Sequence, residues 1–324
     1  MSPHELTATT GKSDAAAASA ALASPRPAVE IPTLLLILAT YGGWLAATFA
    51  YRQWPLIVVA PLVTVLITLH GSLQHEIVHG HPTRWRSINR LMGVVPLLVY
   101  LPFDRYRASH HAHHIDARLT DPLDDPESYY WTSDDWARLP GFVRSLVRVQ
   151  QTLAGRVTLG AFWTIGSFLR TELRALRANQ DGVRRVWLEH LLWSLPVVAW
   201  ITLAAGIPLS VYMLTMVVPA TSITLIRSYA EHRAVPTVRQ RIAIVERSWL
   251  LGPLFLFNSL HALHHEAPGV PWYQYPARYR RDRARLIAEN GGLVYRSYLD
   301  VARRFLFRPH DRLLHPTERV PRAD

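Results

Sequence analysis

The sequence predicts an all-α polytopic membrane protein, with four transmembrane helices in two hairpins and a histidine-rich helical cap on the cytoplasmic side. Three observations predict this fold. The chain contains four apolar runs of membrane-spanning length, a very short turn joins each pair of runs, and many of the sixteen histidines concentrate in three clusters at or beyond the ends of the runs. The first two observations predict the membrane helices, and the third predicts the cap.

The composition excludes several classes of protein. The chain of 324 residues has no cysteine, which excludes disulfide frameworks, thiolate zinc sites, iron–sulfur clusters and cysteine nucleophiles. Charged residues make up only 18%, below the value of about a quarter that is usual in soluble domains. The net charge of +11 could suit nucleic acid, but no basic and aromatic reader motif is present. We therefore expect membrane lipids with an anionic surface as the partner, and no nucleic acid.

Residues 1–30 are predicted to form a disordered tail. They contain the alanine-rich run Ala15–Ala23 followed by Pro25 and Pro27, and they have no aromatic residue and no periodicity. Such a segment cannot bury enough apolar surface to fold. No clear cleavage pattern ends the apolar run that follows, so we expect no cleaved signal peptide.

The four apolar runs account for the membrane helices. In chain order they are Pro32–Tyr51, Pro55–His70, Trp187–Ala205 and Leu209–Arg227. A hydrocarbon core of about 30 Å requires about 20 helical residues, which these runs approach or reach. Only residues 52–54 separate the first two runs and only residues 206–208 the last two. Each pair therefore forms a hairpin, and this pairing favours membrane spans over buried helices of a soluble core.

The distribution of arginine predicts the orientation. The two hairpin turns hold a single arginine, Arg52, and no lysine, whereas the long segment between the hairpins and the C-terminal region hold nearly all the others. Basic residues accumulate on the cytoplasmic side. We therefore expect a bacterial inner-membrane protein with both termini, residues 71–186 and the active site in the cytoplasm. Two shorter apolar stretches, Leu91–Pro102 and Trp249–Leu260, are expected at the interface or as a roof on the cytoplasmic domain.

The histidine clusters have the spacing of helical metal ligands. The second run should stay helical past His70 as far as Pro82, which would place His75 and His79 on one helical face. Two later clusters share the pattern H-x-x-H-H, whose members project from a common side of a helix. These members are His110, His113 and His114, then His261, His264 and His265. A further candidate, His232, lies just past the fourth run.

These nine candidates predict two metal ions. Neutral imidazole binds zinc, copper and iron, and a single zinc ion takes only about three or four protein ligands. Two metals with four or five histidines each would use the whole set. His81 and His111 remain as spare residues near the clusters, and the isolated histidines are interpreted as solvated or core residues. The isolated histidines are His4, His70, His190, His310 and His315.

Two other chemistries compete with this interpretation. His75-Glu76-Ile77-Val78-His79 also matches H-E-x-x-H, the zinc protease motif in which the glutamate serves as general base. A protease, however, would have no use for the two H-x-x-H-H clusters. A metal transporter or storage protein would also use histidine clusters, but transporters place their ligands near the bilayer midplane. Here the clusters lie beyond the apolar runs.

The clusters HEIVH, HHAHH and HALHH, in this order and with two membrane hairpins, resemble the membrane fatty acid desaturase superfamily over about residues 31–290. The segment Pro271–Pro276 is similar to an aromatic and proline-rich stretch of bacterial acyl desaturases and carotenoid oxygenases. The resemblance implies a membrane desaturase-like domain over 31–290, with residues 291–324 as a basic C-terminal extension packed on or trailing from the cap. It also implies a non-haem di-iron centre that activates O2.

Carried onto this chain, the resemblance implies two iron ions and nine ligands. These ligands are His75, His79, His110, His113, His114, His232, His261, His264 and His265. Asp116 and Glu231 are interpreted as partners of the ligands, since metal-bound histidines donate their other N–H to a carboxylate, carbonyl or water. Asn258 is a looser match that would orient a metal-bound water. The acidic residues of the loop 121–127 are expected to be mostly solvated turn and capping residues.

The implied activity is O2-dependent oxidation of a fatty-acyl or lipid substrate. Desaturation to a C=C bond is the favoured reaction, and hydroxylation or ketolation of a lipid, alkane or carotenoid is the alternative. Neither an iron–sulfur domain nor an H-P-G-G haem motif is present, so electrons must come from a separate donor such as ferredoxin. The arginine-rich segment Arg278–Arg285 could dock such an acidic donor or lie against anionic headgroups.

Overall fold

The computed structural model describes residues 27–316. Within that range the chain is mostly helical, and four helices are long and apolar enough to cross a membrane: Ile31–Arg52, Leu56–Val78, Val183–Ala204 and Leu209–Glu231. This confirms the predicted all-α class with four membrane helices and a histidine-rich helical region. The β-structure in the described residues is one parallel pair of short strands, β1 (Ile244–Val245) and β2 (Val294–Tyr295), besides isolated bridges.

The α-helices are numbered in chain order. They are α1 (Ile31–Phe49), α2 (Leu56–Val78), α3 (Arg86–Gly93), α4 (Phe103–His113), α5 (Ser133–Arg138), α6 (Gly141–Gln150), α7 (Leu153–Thr158), α8 (Gly160–Arg177), α9 (Val183–Ala199), α10 (Leu209–Tyr212), α11 (Val218–Glu231), α12 (Leu251–Leu254), α13 (His261–Glu266), α14 (Tyr275–Glu289) and α15 (Tyr298–Phe305). Two π-helical turns, Trp200–Ala204 and Met213–Val217, extend α9 and join α10 to α11.

The two hairpins pack side by side with their turns at the same end. Arg52 in the first turn donates from Nε to the carbonyl of Ala204 beside the second turn, at 2.7 Å. Deeper between the hairpins, Trp44 Nε1 donates to the hydroxyl of Tyr212 at 3.0 Å, and Trp200 Nε1 donates to Thr48 Oγ1 at 2.9 Å. These bonds satisfy polar groups that lipid cannot. The opposite ends of α2 and α11 therefore point together towards the cap.

The apolar stretch after α3 lies deeper than the sequence suggests. Leu97 is fully buried in the core formed by the four spans, and its carbonyl accepts a hydrogen bond from Tyr212 at 2.8 Å. Val99 has φ 63°, a left-handed conformation that β-branched residues rarely adopt,, and its carbonyl accepts from His190 Nε2 at 2.7 Å. The expectation of an interfacial or roofing position for this stretch was wrong, because its backbone finds partners inside the bundle.

The second apolar stretch divides between surface and interior. Trp249 and Leu250 are among the most exposed apolar side chains, whereas Phe255 and Leu260 are buried. The carbonyl of Leu254 accepts from Ser72 near the cap end of α2 at 2.8 Å. This stretch therefore packs across the end of a span, in agreement with the expected roof.

Helix α2 ends earlier than predicted. The last α-helical residue is Val78, and His79 forms the C-cap. Gly80, with φ 90°, then turns the chain. Glycine at positive φ ends a helix without the steric cost that other residues meet. The helix thus stops before Pro82, although His75 and His79 keep their helical spacing.

Both ends of the described chain contact the cap. Of the predicted tail, residues 1–26 lie outside the described residues, and the buried Glu30 carboxylate contacts His81. At the other end, β2 pairs with β1, and the carbonyl of Leu313 accepts from the backbone N–H of Trp131 at 3.0 Å. The segment after residue 305 thus holds the loop that follows α4.

Candidate metal centre

The nine histidines predicted as ligands converge on two neighbouring places at the cap ends of the spans. In each place the potential ligand atoms lie within 4.8 Å of one another. The first group, called here group 1, has five members: His75, His79, His110, His114 and His264. Group 2 has four members: His113, His232, His261 and His265. Five and four agree with the numbers expected from the sequence, although the ligand role of each residue stays a prediction.

Helical geometry explains how the clusters divide. Residues four apart are neighbours on a helix, whereas a residue at i+3 lies about 100° around the axis from the residue at i+4. Accordingly, His110 and His114 belong to group 1 and His113 to group 2. In α13 the pair His261 and His265 belongs to group 2, and the intervening His264 to group 1. Each H-x-x-H-H cluster therefore bridges the two groups.

The spacing of the ring nitrogens fits metal coordination. In group 1 the Nε2 atom of His110 lies 3.0 Å from the Nε2 atoms of both His79 and His114. In group 2 the Nε2 atom of His232 lies 3.0 Å from those of His113 and His261. Two nitrogens that each lie about 2.1 Å from one ion, with a nitrogen–metal–nitrogen angle of about 90°, would be about 3.0 Å apart. The donor set is all-imidazole, which suits iron, copper or zinc.

Burial keeps most of these imidazoles in the neutral form that binds metal. Desolvation, followed by the neighbouring imidazoles, lowers the pKa of His264 and His265 well below the ordinary value. The same two causes lower the pKa of His114 to about 2. His113 differs: burial opposes its charged form, but the carboxylates of Glu127 and Asp125 outweigh burial and raise its pKa to about 9. A cation in group 2 would thus replace a proton on His113.

The comparison with protein families agrees with this geometry. The family model described as Fatty acid desaturase matches residues 52–299, a range that covers most of the chain and includes all nine histidines. The chain belongs to the fatty acid desaturase family. A comparison with curated proteins found no match. As a family member, the chain is a desaturase-like membrane oxidoreductase with a lipid substrate, and its histidine groups could hold the metal that the family requires.

The acidic loop after box two (His110–His114) supports two of the histidines of this desaturase-family protein. Asp125 Oδ1 accepts from His113 Nδ1 at 3.0 Å, and Glu127 Oε1 accepts from His110 Nδ1 at 3.1 Å. Such bonds direct the Nε2 lone pairs into the two groups. The sequence interpretation of this loop as mostly solvated missed both carboxylates. The two carboxylates follow an irregular turn at Thr120, which has φ 67°. Because such a loop has no periodicity, the sequence did not show that they return to the histidines.

A third carboxylate lies behind His261. Glu231, predicted as a partner of the ligands, is buried, and its Oε1 lies 3.3 Å from His261 Nδ1 and 3.3 Å from Arg227 Nε. Asn258 accepts from His261 Nδ1 through Oδ1 at 3.1 Å, and its Nδ2 lies 3.4 Å from His75 Nε2. Asn258 therefore links the two groups. The side chain of Asp116, the other predicted partner, lies outside the described part of the structure.

The remaining cluster residues stay out of both groups. His81 is buried against Glu30, with Nδ1 2.5 Å from Oε1, and His111 is exposed. Glu76 accepts from the backbone N–H of Trp272 at 3.3 Å and belongs to neither group. A zinc protease would need this glutamate beside the metal-bound water. Instead, His75 and His79 stand with three more histidines, and the family assignment decides against that alternative.

Two cavities approach group 2. A wide cavity of about 650 Å³ lies between α4, α7, α8 and the loop after box two, a volume in the range of small-molecule sites. A narrow pocket of about 30 Å³ follows it and is lined by His232 and Glu127. The two share lining residues, among them Tyr129, Gln151 and Arg156. The narrow pocket has room for about one water molecule, so of the two only the wide cavity could take a substrate group.

Replacing Asp125 by asparagine is expected to weaken the centre without unfolding it. The amide cannot carry the negative charge that favours the metal-bound His113, so metal affinity or product formation should fall by about 10–100-fold. Metal content after dialysis against a chelator series measures the effect. Asp124→Asn is the matched control, because Asp124 is exposed in the same loop. An equal loss in both variants would contradict the assigned role of Asp125.

Proposed function

We propose that the protein is an O2-dependent di-iron desaturase that introduces a C=C bond into a fatty-acyl chain. The observation that carries the proposal is the division of nine histidines into groups of five and four around neighbouring points. His75, His79, His110, His114 and His264 would hold one iron. His113, His232, His261 and His265 would hold the other.

Bound iron would supply the oxidising power that removal of hydrogen from an unactivated methylene requires, which no side-chain acid or base provides. The chain's own residues would position the ligands and the substrate. Asp125, Glu127 and Glu231 would hold Nδ1 protons on His113, His110 and His261. The buried surroundings of both groups would limit the access of water to the reacting carbon.

The proposed setting is a bacterial inner membrane with the histidine groups and both termini in the cytoplasm. Residues 31–290 would form the catalytic domain. Residues 291–324 would be an extension whose described part closes over the loop after box two, as the bond between Trp131 and Leu313 suggests.

Electrons are proposed to come from a separate small donor such as ferredoxin. The arginine-rich segment Arg278–Arg285 is the docking surface that the sequence indicates, but several of its arginines pair with local carboxylates. Arg281 pairs with Asp282, Arg283 with Glu246, and Arg285 with Glu266 and Glu289. These pairs reduce the positive field that the segment offers to an acidic partner.

Expression in a host with simple lipids, followed by profiling of fatty acids and carotenoids, tests the proposed reaction. We expect new unsaturated acyl chains that require O2 and disappear in a His264→Ala variant. Hydroxy or keto products would mean that the protein catalyses hydroxylation or ketolation instead of desaturation. A profile unchanged from the empty host, with a suitable donor co-expressed and protein present in the membrane, would contradict the proposal.

A further inference from the structure

Arg156 is a buried cation at the junction of the two cavities. It lies on α7, lines both the wide cavity and the narrow pocket beside His232, and is only 6% exposed. Its Nε donates to the carbonyl of Gln150 at 3.1 Å, and its guanidinium carbon lies 3.9 Å from the centre of the Tyr129 ring. These contacts fix the side chain of a residue that lines both cavities.

No carboxylate of the described residues neutralises this cation. Among the described residues 27–316, no acidic oxygen lies within 4.0 Å of the Arg156 nitrogens. The carboxylates that line the cavities have other contacts: Glu172 with Arg105, Glu127 with His110, Asp125 with His113, Asp135 with the Thr132 hydroxyl and Asp311 with Tyr130. Buried charges in proteins are normally paired, because desolvation of an isolated ion is costly.

The desolvation of Arg156 is visible in its electrostatics. Burial lowers the pKa of Arg156, and the largest opposing effects come from neighbouring tyrosine hydroxyls. A guanidinium nevertheless stays charged at physiological pH. Its planar set of donors matches the two oxygens of a carboxylate or phosphate. An anion entering from the wide cavity would therefore gain a charge-assisted contact and would relieve the unpaired charge.

We infer that Arg156 binds the anionic end of an amphipathic acyl substrate, a carboxylate or a phosphate, at the inner end of the wide cavity. The inference rests on the proposed function in taking this ligand to be the substrate. The wide cavity has room for such a group, and Thr164, Ser167 and Thr171 of α8 add polar lining beside the apolar Trp163 and Phe168. The outer face of α8 exposes Phe162, Leu169 and Leu173, which suits a helix lying at the lipid surface.

Calorimetric titration of the detergent-purified, metal-loaded protein tests this site without turnover. The probes are decanoate and decyl phosphate below their micellar concentrations, decanol below its solubility limit, and inorganic phosphate. We expect the wild type to bind at least one charged decyl probe about tenfold or more tightly than decanol, the gain typical of a hydrogen bond to a charged group. Arg156→Gln should bring the affinities of that probe and decanol within about threefold of each other.

Two comparisons separate ligand binding from a structural role. Arg170→Gln removes one exposed positive charge from α8, at a residue that does not itself line the cavity, and should leave the preference for the charged probe intact. Arg156→Met should abolish the preference without lowering the thermal unfolding midpoint, because it removes an uncompensated buried charge. A lowered midpoint together with equal weakening of decanol and the charged probes would mean that Arg156 only anchors Tyr129, and would overturn the inference.

Other outcomes also decide the matter. Equal affinity of the wild type for decanol, decanoate and decyl phosphate would overturn the inference that Arg156 binds an anionic group. If inorganic phosphate binds as tightly as decyl phosphate, the ligand of Arg156 is a free anion and not an acyl substrate. Because no product is measured, failure of this test leaves the proposed desaturation standing, and failure of lipid profiling leaves the anion site standing.

Discussion

His264→Ala is expected to abolish product formation while the protein still inserts into the membrane. His264 is fully buried and contributes to group 1 from α13, a helix whose other two box histidines belong to group 2. Its Nε2 lies 3.0 Å from that of His114, and its Nδ1 donates to the Tyr275 hydroxyl at 3.1 Å. Loss of a residue that only hydrogen-bonds to a metal ligand typically lowers activity by about 10–100-fold. Loss of the ligand itself should therefore lower product formation by at least about a hundredfold.

The matched control is His111→Ala. His111 is exposed, lies inside the second box and belongs to neither histidine group, so its removal should leave the product yield nearly unchanged. Membrane fractionation and lipid profiling of the two variants side by side give the result. Retained turnover in His264→Ala would remove the third histidine cluster, His261–His265, from the site.

His232→Ala is expected to empty group 2 and to abolish turnover. This histidine lies outside the three histidine clusters, at the C-cap of α11, and its Nε2 is 3.0 Å from the Nε2 atoms of two other members of group 2. Without it group 2 keeps only three of its four imidazoles, so the ion there should be held more weakly and should be lost on dialysis against a chelator,. Metal content should then fall to about one ion per chain, the ion in group 1.

Metal analysis of His232→Ala beside His111→Ala, after identical dialysis, checks this expectation. The control should keep the wild-type metal content. Equal metal content in His232→Ala and the control, with turnover preserved, would show that His232 is not a ligand and does not belong to group 2.

Sequence reasoning located the four spans, and it identified the nine histidines that converge. Periodicity and spacing suffice for these features, because the length of an apolar run and the positions i, i+3 and i+4 are local properties. The division of each H-x-x-H-H cluster between two groups was not foreseen. Helical spacing separates the residue at i+3 from the pair at i and i+4, but which group each of them joins depends on how α4 and α13 approach each other, and local spacing does not contain that direction,.

The missed features share a physical cause. Asp125 and Glu127 reach the histidines through an irregular loop whose path is held by contacts far along the chain, such as that of Thr120 with His315 at 3.1 Å. The burial of Leu97 among the spans likewise depends on Tyr212, more than a hundred positions away. Tertiary contacts of this kind carry no periodic pattern, so the sequence suggested a solvated turn and an interfacial stretch instead.

Elemental analysis of the purified wild-type protein is the most direct test of the two-metal centre. The protein should retain about two iron ions per chain after removal of loosely bound metal, one for each histidine group. Stoichiometric binding of a single zinc ion, with no iron recovered even after anaerobic loading with ferrous salt, would contradict the account.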